Sequence, residues 1–137
     1  MPGSRPTMRH DVGVKQIVVA LVVLGVAAAC GANAGTVPEI DAAAERGRQA
    51  ALQNGCAVCH GQYGQGGAGG GFYGLWESQV ELADGRTVTA DADYLRRAIV
   101  DPVAEIVAGS NTAMPAVELT DDEVAAMLTW IEALADE

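Results

Sequence analysis

Aromatic residues are scarce in this 137-residue chain: one Phe, three Tyr and two Trp. Its core must therefore be built from Ala, Val, Leu and Ile, and a domain this small gains from a staple or a bulky prosthetic group. Histidine is scarcer still. There are two, His10 and His60, and only His60 lies beyond the N-terminal stretch. Positive charge is thin as well. From residue 37 onward there are five Arg and no Lys against seventeen Asp and Glu, a net charge of −12. Such acidity excludes ordinary nucleic-acid binding. It suits a basic partner surface, or it simply keeps the domain soluble. There are no internal repeats, and the length allows one small domain.

Charge is also missing from an early stretch. Arg9 and Lys15 precede Ile17 to Ala29, an unbroken run of apolar and small residues. This reads as an export leader, with Met8 as an alternative start. Residues 1–34 are assigned to leader and linker, and 39–137 to the domain. Three exits are open. Ala27-Ala28-Ala29-Cys30 resembles a lipobox without its usual Leu, which would make Cys30 a lipidated N-terminus. Ala32-Asn33-Ala34 offers a plain cleavage site. An uncleaved anchor is the third, although the apolar run is short for a membrane span. All three place the domain outside the cytoplasm, on the periplasmic side.

Only three Cys are present, so no full set of disulfides explains them. Cys30 belongs to the leader. Cys56 and Cys59 stand in Cys56-Ala57-Val58-Cys59-His60. That spacing predicts one covalent haem c. Two thiols add to the vinyl groups on one porphyrin edge, and the adjacent His60 offers an imidazole nitrogen to the iron. A redox disulfide would sit in a βαβ context, which is missing. A zinc site needs four ligands, but this part of the chain has two Cys and one His.

The second axial ligand follows by elimination between His and Met. His10 lies in the leader. Met127 falls at core spacing in the last helical pattern. Met114 lies in an irregular stretch, Gly109 to Pro115, where a loop can approach an open haem face. Met114 is therefore the expected ligand, with a merely packing Met as the alternative.

The expected class is all-α, with four to five short helices. Asp41 to Asn54 reads as a helix closed by Gly55. Gly61 to Gly74 is a Gly-rich loop, and no Lys-Ser/Thr follows to make it a phosphate cradle. Residues 80–88 alternate around Asp84-Gly85, predicting a small hairpin. Asp91 to Val100 predicts a helix, and Asp101-Pro102 opens a short one reaching Val107. Thr120 to Glu123 forms a capping box ahead of the stripe Val124, Met127, Leu128, Ile131 and Leu134.

Residues 41–135 resemble a class I cytochrome c: a first helix, C-x-x-C-H, a Met-Pro loop at Met114-Pro115, and a last helix. The resemblance implies that the first and last helices cross at Gly47 and Trp130. Residues 82–91, Tyr94-Leu95-Arg96 and Asp101-Pro102 are similar to the cytochrome c domain fused to subunit II of some haem–copper oxidases. Two departures are visible. Ala51 stands where the family often has an aromatic. Gly69-Gly70-Gly71 stands where it often has Gly-Pro, so the His60 N–H is expected to find Gly70 or a neighbour on a less stiff loop. Trp76 and Arg86 are candidate haem contacts, with plain packing or surface roles as the alternative.

The resemblance implies a one-electron carrier rather than an enzyme. It would exchange electrons with a membrane redox complex, an oxidase or dehydrogenase, through a basic surface on that partner. A fixed subunit of such a complex and a haem-based ligand sensor are the other readings.

Overall fold

The computed structural model describes residues 37–137. The leader, Cys30 and the three routes for its processing lie outside the described residues.

Helix α1 spans Ala42–Gln53. Asp41 starts it: its carboxylate accepts the Ala43 and Ala44 N–H groups at 2.9 and 2.8 Å, satisfying donors the helix cannot. Gly55, at φ +78°, turns the chain out of the helix, and the Cys56 N–H returns to the Ala51 carbonyl at 3.0 Å. The one-turn helix α2, Ala57–His60, follows at once. Helix α3, Ala92–Val100, is capped by Asp91, whose carboxylate accepts the Tyr94 N–H at 2.8 Å. It ends before Asp101-Pro102. Helix α4, Asp121–Ala133, opens with both halves of the expected capping box, Thr120 and Glu123.

Strands β1, Gln79–Glu81, and β2, Thr87–Thr89, form the expected hairpin. They pair antiparallel with Val80 opposite Val88. The Asp84-Gly85 turn needs the left-handed conformation that Gly85 adopts, at φ +85°. The fold is thus mostly helical around one small ribbon.

One element differs from the expectation. Residues 101–107 do not form a helix. They make turns and then lie along the hairpin: the Ala83 N–H donates to the Ile106 carbonyl and the Ala108 N–H to the Glu81 carbonyl, both at 2.8 Å. The hairpin has unpaired backbone groups at this end, and an extended segment satisfies them where a helix would not.

The core has two parts that share α4. Ala44, Ala51, Met127, Trp130 and Leu134 join α1 to α4. Leu82, Ala90, Tyr94, Leu95, Leu128 and Ile131 join the hairpin and α3 to α4. The whole expected α4 stripe is buried, and so is Trp130 beside it, 2% exposed and among the largest buried side chains of the domain. Truncating such a residue costs about 3–5 kcal/mol. Gly47 sets how closely α1 and α4 approach. A Cβ there would fall on the Ala126 carbonyl and 2.8 Å from Trp130 Cβ. The crossing implied by the sequence resemblance is therefore present, at the expected pair. Ala51, in place of an aromatic, is buried in the same interface.

Candidate cofactor site

The site begins where α1 ends. The Gly55 turn directs the chain into α2, so Cys56, Cys59 and His60 occur within one helical turn. Both Cys side chains are half-buried and not disulfide-linked. Burial pushes the Cys56 thiol up, the opposite of the activation that a redox C-x-x-C needs.

His60 is held by two contacts. Its Nδ1 lies 2.7 Å from the Gly70 carbonyl oxygen. A carbonyl only accepts, so Nδ1 carries the proton and donates, and the Nε2 lone pair is left for a metal. The Phe72 ring stacks on the imidazole with centroids 4.9 Å apart and planes 24° apart. Phe72 in turn meets Trp130 edge-on at 5.3 Å. The ring that would ligate iron is thus braced, through one aromatic, against the α1–α4 core.

The glycine loop is firmer than its composition suggests. The Gly66 N–H donates to the His60 carbonyl at 2.8 Å, and the Gly69 N–H donates to the Cys59 carbonyl at 2.9 Å. Gly67 bonds back to Gly69 at 2.9 Å, and the Phe72 N–H reaches the Gly64 carbonyl at 2.7 Å. Backbone hydrogen bonds tie the loop to the Cys-x-x-Cys-His turn, and Gly70 supplies the carbonyl that the sequence expected. Close approach explains the glycines. A Cβ on Gly69 would come within 2.7–3.0 Å of the imidazole ring, and one on Gly67 within 2.8 Å of the Cys59 carbonyl.

Arg48 ties this loop to α1. Its guanidinium grips Glu45 with two 2.7 Å bonds, donates to the Gln62 carbonyl at 3.3 Å and lies over the Tyr63 ring. The bidentate pair holds the Glu45 carboxyl down to about 2, from an ordinary 4.5.

A cleft of about 680 Å³ opens beside Cys56, Cys59 and His60. Its far side is the segment Val107 to Pro115, including Met114. An inner apolar cavity of about 280 Å³ shares Cys56, His60 and Met114 with it and reaches Phe72, Leu95 and Trp130. Met114 thus lines both spaces and is partly exposed. Met127 is buried in the α1–α4 core and borders only the inner one. The structure brings His60 and Met114 to one cleft, as the sequence expected.

The cleft fits a haem. Its volume lies in the ~300–1,000 Å³ range of pockets for sizeable organic ligands. Two thiols flank a metal-ligating imidazole, a thioether faces the same space, and the lining is mostly apolar. Ile106 and Val107 are exposed along it, apolar surface that a flat ring system would cover.

Trp76 and Arg86 line neither cavity. Trp76 packs against the hairpin–α3–α4 core. Arg86 pairs with Asp84 at 2.8 Å and with Glu105 at 3.3 Å. Three cleft neighbours were not anticipated from sequence: Phe72, Tyr94 and Glu105. The only hint of Phe72 was its being the single Phe. Glu105 joins Arg86 and Arg97, so one carboxylate links the hairpin turn, α3 and the segment leading to Met114.

The family model described as Cytochrome c matches residues 44–135, nearly the whole described domain. No curated protein matches the chain.

Proposed function

The chain belongs to the cytochrome c family, whose members carry covalent haem c, and on that premise we propose an extracytoplasmic one-electron carrier of a respiratory chain. Its exchange partner in this reading is a membrane oxidoreductase such as a haem–copper oxidase. Cys56 and Cys59 fit the covalent attachment, with His60 as the adjoining ligand. When bound, the haem supplies a one-electron iron couple. Everything else falls to side chains of this chain. His60 is oriented by Gly70 and Phe72 so that Nε2 faces away from its anchored nitrogen. Met114 offers a thioether from the opposite loop, and the apolar lining of the inner cavity disfavours water there. With His60 and Met114 both holding the iron, the chain would leave no coordination position for a substrate.

The observation that carries the ligand assignment is that His60 and Met114 line the same cleft, and no other His lies in the described residues. The run Ile17 to Ala29 supports export, and Cys30 at the lipobox position supports a lipid tether. A tether raises the local concentration of a membrane partner and favours a dedicated, even fixed, subunit over a free shuttle. The similarity of residues 82–91 to the oxidase-fused branch supports an oxidase as that partner.

Surface charge supports a basic partner. Arg48, Arg86, Arg96 and Arg97 are all in ion pairs, which leaves many of the seventeen carboxylates uncompensated. The test is carbon monoxide exposure of the reduced holoprotein at neutral pH. A carrier with Met114 in place stays unchanged on mixing; rapid binding contradicts this reading and favours a ligand sensor.

A further inference from the structure

The segment that carries Met114 has little of its own to hold it. From Asn111 to Leu119 no N–H or carbonyl makes a backbone-to-backbone hydrogen bond among the described residues. Met114, Val117 and Leu119 are half-buried there, and the other six residues are exposed. Met114 and Val117 face the cofactor space itself, and Leu119 packs against the α1–α4 core. This strap is therefore fixed mainly at its ends. Upstream, the Ala108 N–H is bonded to the hairpin at the Glu81 carbonyl. Downstream, Thr120 opens α4.

The downstream end has a tie that a helix start does not require. In a capping box the Glu carboxylate accepts the N-cap N–H, and one oxygen suffices. Glu123 Oε2 does this for Thr120 at 2.8 Å and takes the Thr120 hydroxyl at 2.8 Å as well. Oε1 is left to reach elsewhere, and it accepts from Asn54 Nδ2 at 3.0 Å, 69 residues back. Asn54 closes α1 just before Cys56 and borders the cleft. Its amide also donates to the Ala50 carbonyl at 3.0 Å, which orients the side chain. One carboxylate thus ties the chain entering the Cys-x-x-Cys-His turn to the chain leaving Met114.

We propose that Asn54 and Glu123 form a latch that keeps Met114 in its ligating position. Both are positioning residues, acting through the downstream end of the strap. The proposal rests on Met114 as the second axial ligand and adds what holds it there. A segment without backbone bonds opens at little cost unless its ends are held. The latch is a half-buried, charge-assisted bond, stronger than a neutral one at the surface. Without it, this end of the cleft is joined by apolar packing alone, and open forms of the strap gain population. Beyond the leader there is no Lys and no His besides His60, so the chain has no other nitrogen side chain of that kind to take Met114's place. An open form is left to a base added from solution.

The test is a spectral titration of the ferric holoprotein with imidazole, whose apparent affinity scales with the fraction of open form. Asn54→Ala cuts the latch from one side. Glu123→Asp cuts it from the other, keeping a carboxylate at the helix start but withdrawing it from Asn54. Each should raise imidazole affinity about 3- to 10-fold, the worth of one such bond. Each should also weaken the far-red band of Met-to-iron ligation. The double variant should do little more than either, since both remove the same bond. Asp41→Ala uncaps the far end of α1 and costs stability, yet it should leave the affinity within about 2-fold of wild type. Glu123→Asp decides alone if Asn54→Ala loads haem poorly. The proposal is overturned if Glu123→Asp binds imidazole as the wild type does, if the two effects multiply in the double variant, or if Asp41→Ala matches them. If the wild type lacks the far-red band, the ligand assignment falls, and the latch with it.

Discussion

His60 donates its Nδ1–H to the Gly70 carbonyl oxygen across 2.7 Å, and this bond fixes both the tautomer and the direction of the ligating ring. It depends on Gly69, whose backbone passes directly against the imidazole. A side chain there would meet ring atoms at 2.7–3.0 Å, while Phe72 and Gly70 hold the ring in place. Gly69→Val should therefore break the Gly70 bond. Nε2 becomes a poorer donor and the reduction potential rises, with about 1–3 kcal/mol of stability lost to overpacking. Voltammetry and denaturant melts of the holoprotein check both; an unchanged potential counts against the Gly70 bond as the tuning contact.

Gly47→Ala tests the crossing of α1 and α4. The added methyl would land on the Ala126 backbone carbonyl and press on Trp130 Cβ. Backbone cannot swing aside as a side-chain tip can, so the helices must separate. We expect a loss of at least about 1–3 kcal/mol in urea unfolding, despite alanine's better helix propensity. A neutral or stabilised variant would mean that the helices do not approach so closely.

Much of this was legible in the sequence, because the helix caps are local chemistry. Asp41, Asp91 and the Thr120–Glu123 box marked three helix starts, and each side chain caps as its type suggests. The α4 stripe was readable from its period. The run from Asp101 to Val107 was misread because Asp-Pro is a helix-opening signal locally. The competing hydrogen bonds come from Glu81 and Ala83, some twenty residues earlier, and no local pattern reports them. The hydrogen bonds of the polyglycine loop were hidden for a related reason. Composition measures freedom in the unfolded chain, whereas its native order comes from bonds to Cys59 and His60. The Phe72 brace is a tertiary contact with no periodic signature.

Acid should weaken the loop through Glu45. Its carboxyl, held at about 2 by Arg48, is depressed relative to the unfolded 4.5. A depressed acid stabilises the fold above its unfolded value, and that contribution is lost as pH falls through the folded value. Compared with Glu45→Gln, the wild type should be the more stable at pH 7, with the gap closing between about pH 4.5 and 2. Paired urea melts across that range measure the gap; one that is constant with pH denies the pair its role.

Glu105 links the hairpin turn, α3 and the approach to Met114 through Arg86 and Arg97. Both Arg side chains are more than half exposed, so solvent screens the pairs. Glu105→Gln should cost about 1 kcal/mol or less, and the difference from wild type should shrink in 1 M salt. Thermal melts at two salt concentrations decide it. A large, salt-independent loss would point to packing rather than charge.

The central claim is a covalent haem held between His60 and Met114 and cycling by one electron. A spectroelectrochemical titration of the holoprotein, run beside Met114→Ala, tests it most directly. The account predicts a single reversible one-electron step in the wild type, with the weak far-red absorption of Met-to-iron ligation in the ferric state. Met114→Ala should abolish that band and lower the potential. A wild type without the band, or a variant that keeps both band and potential, would contradict it.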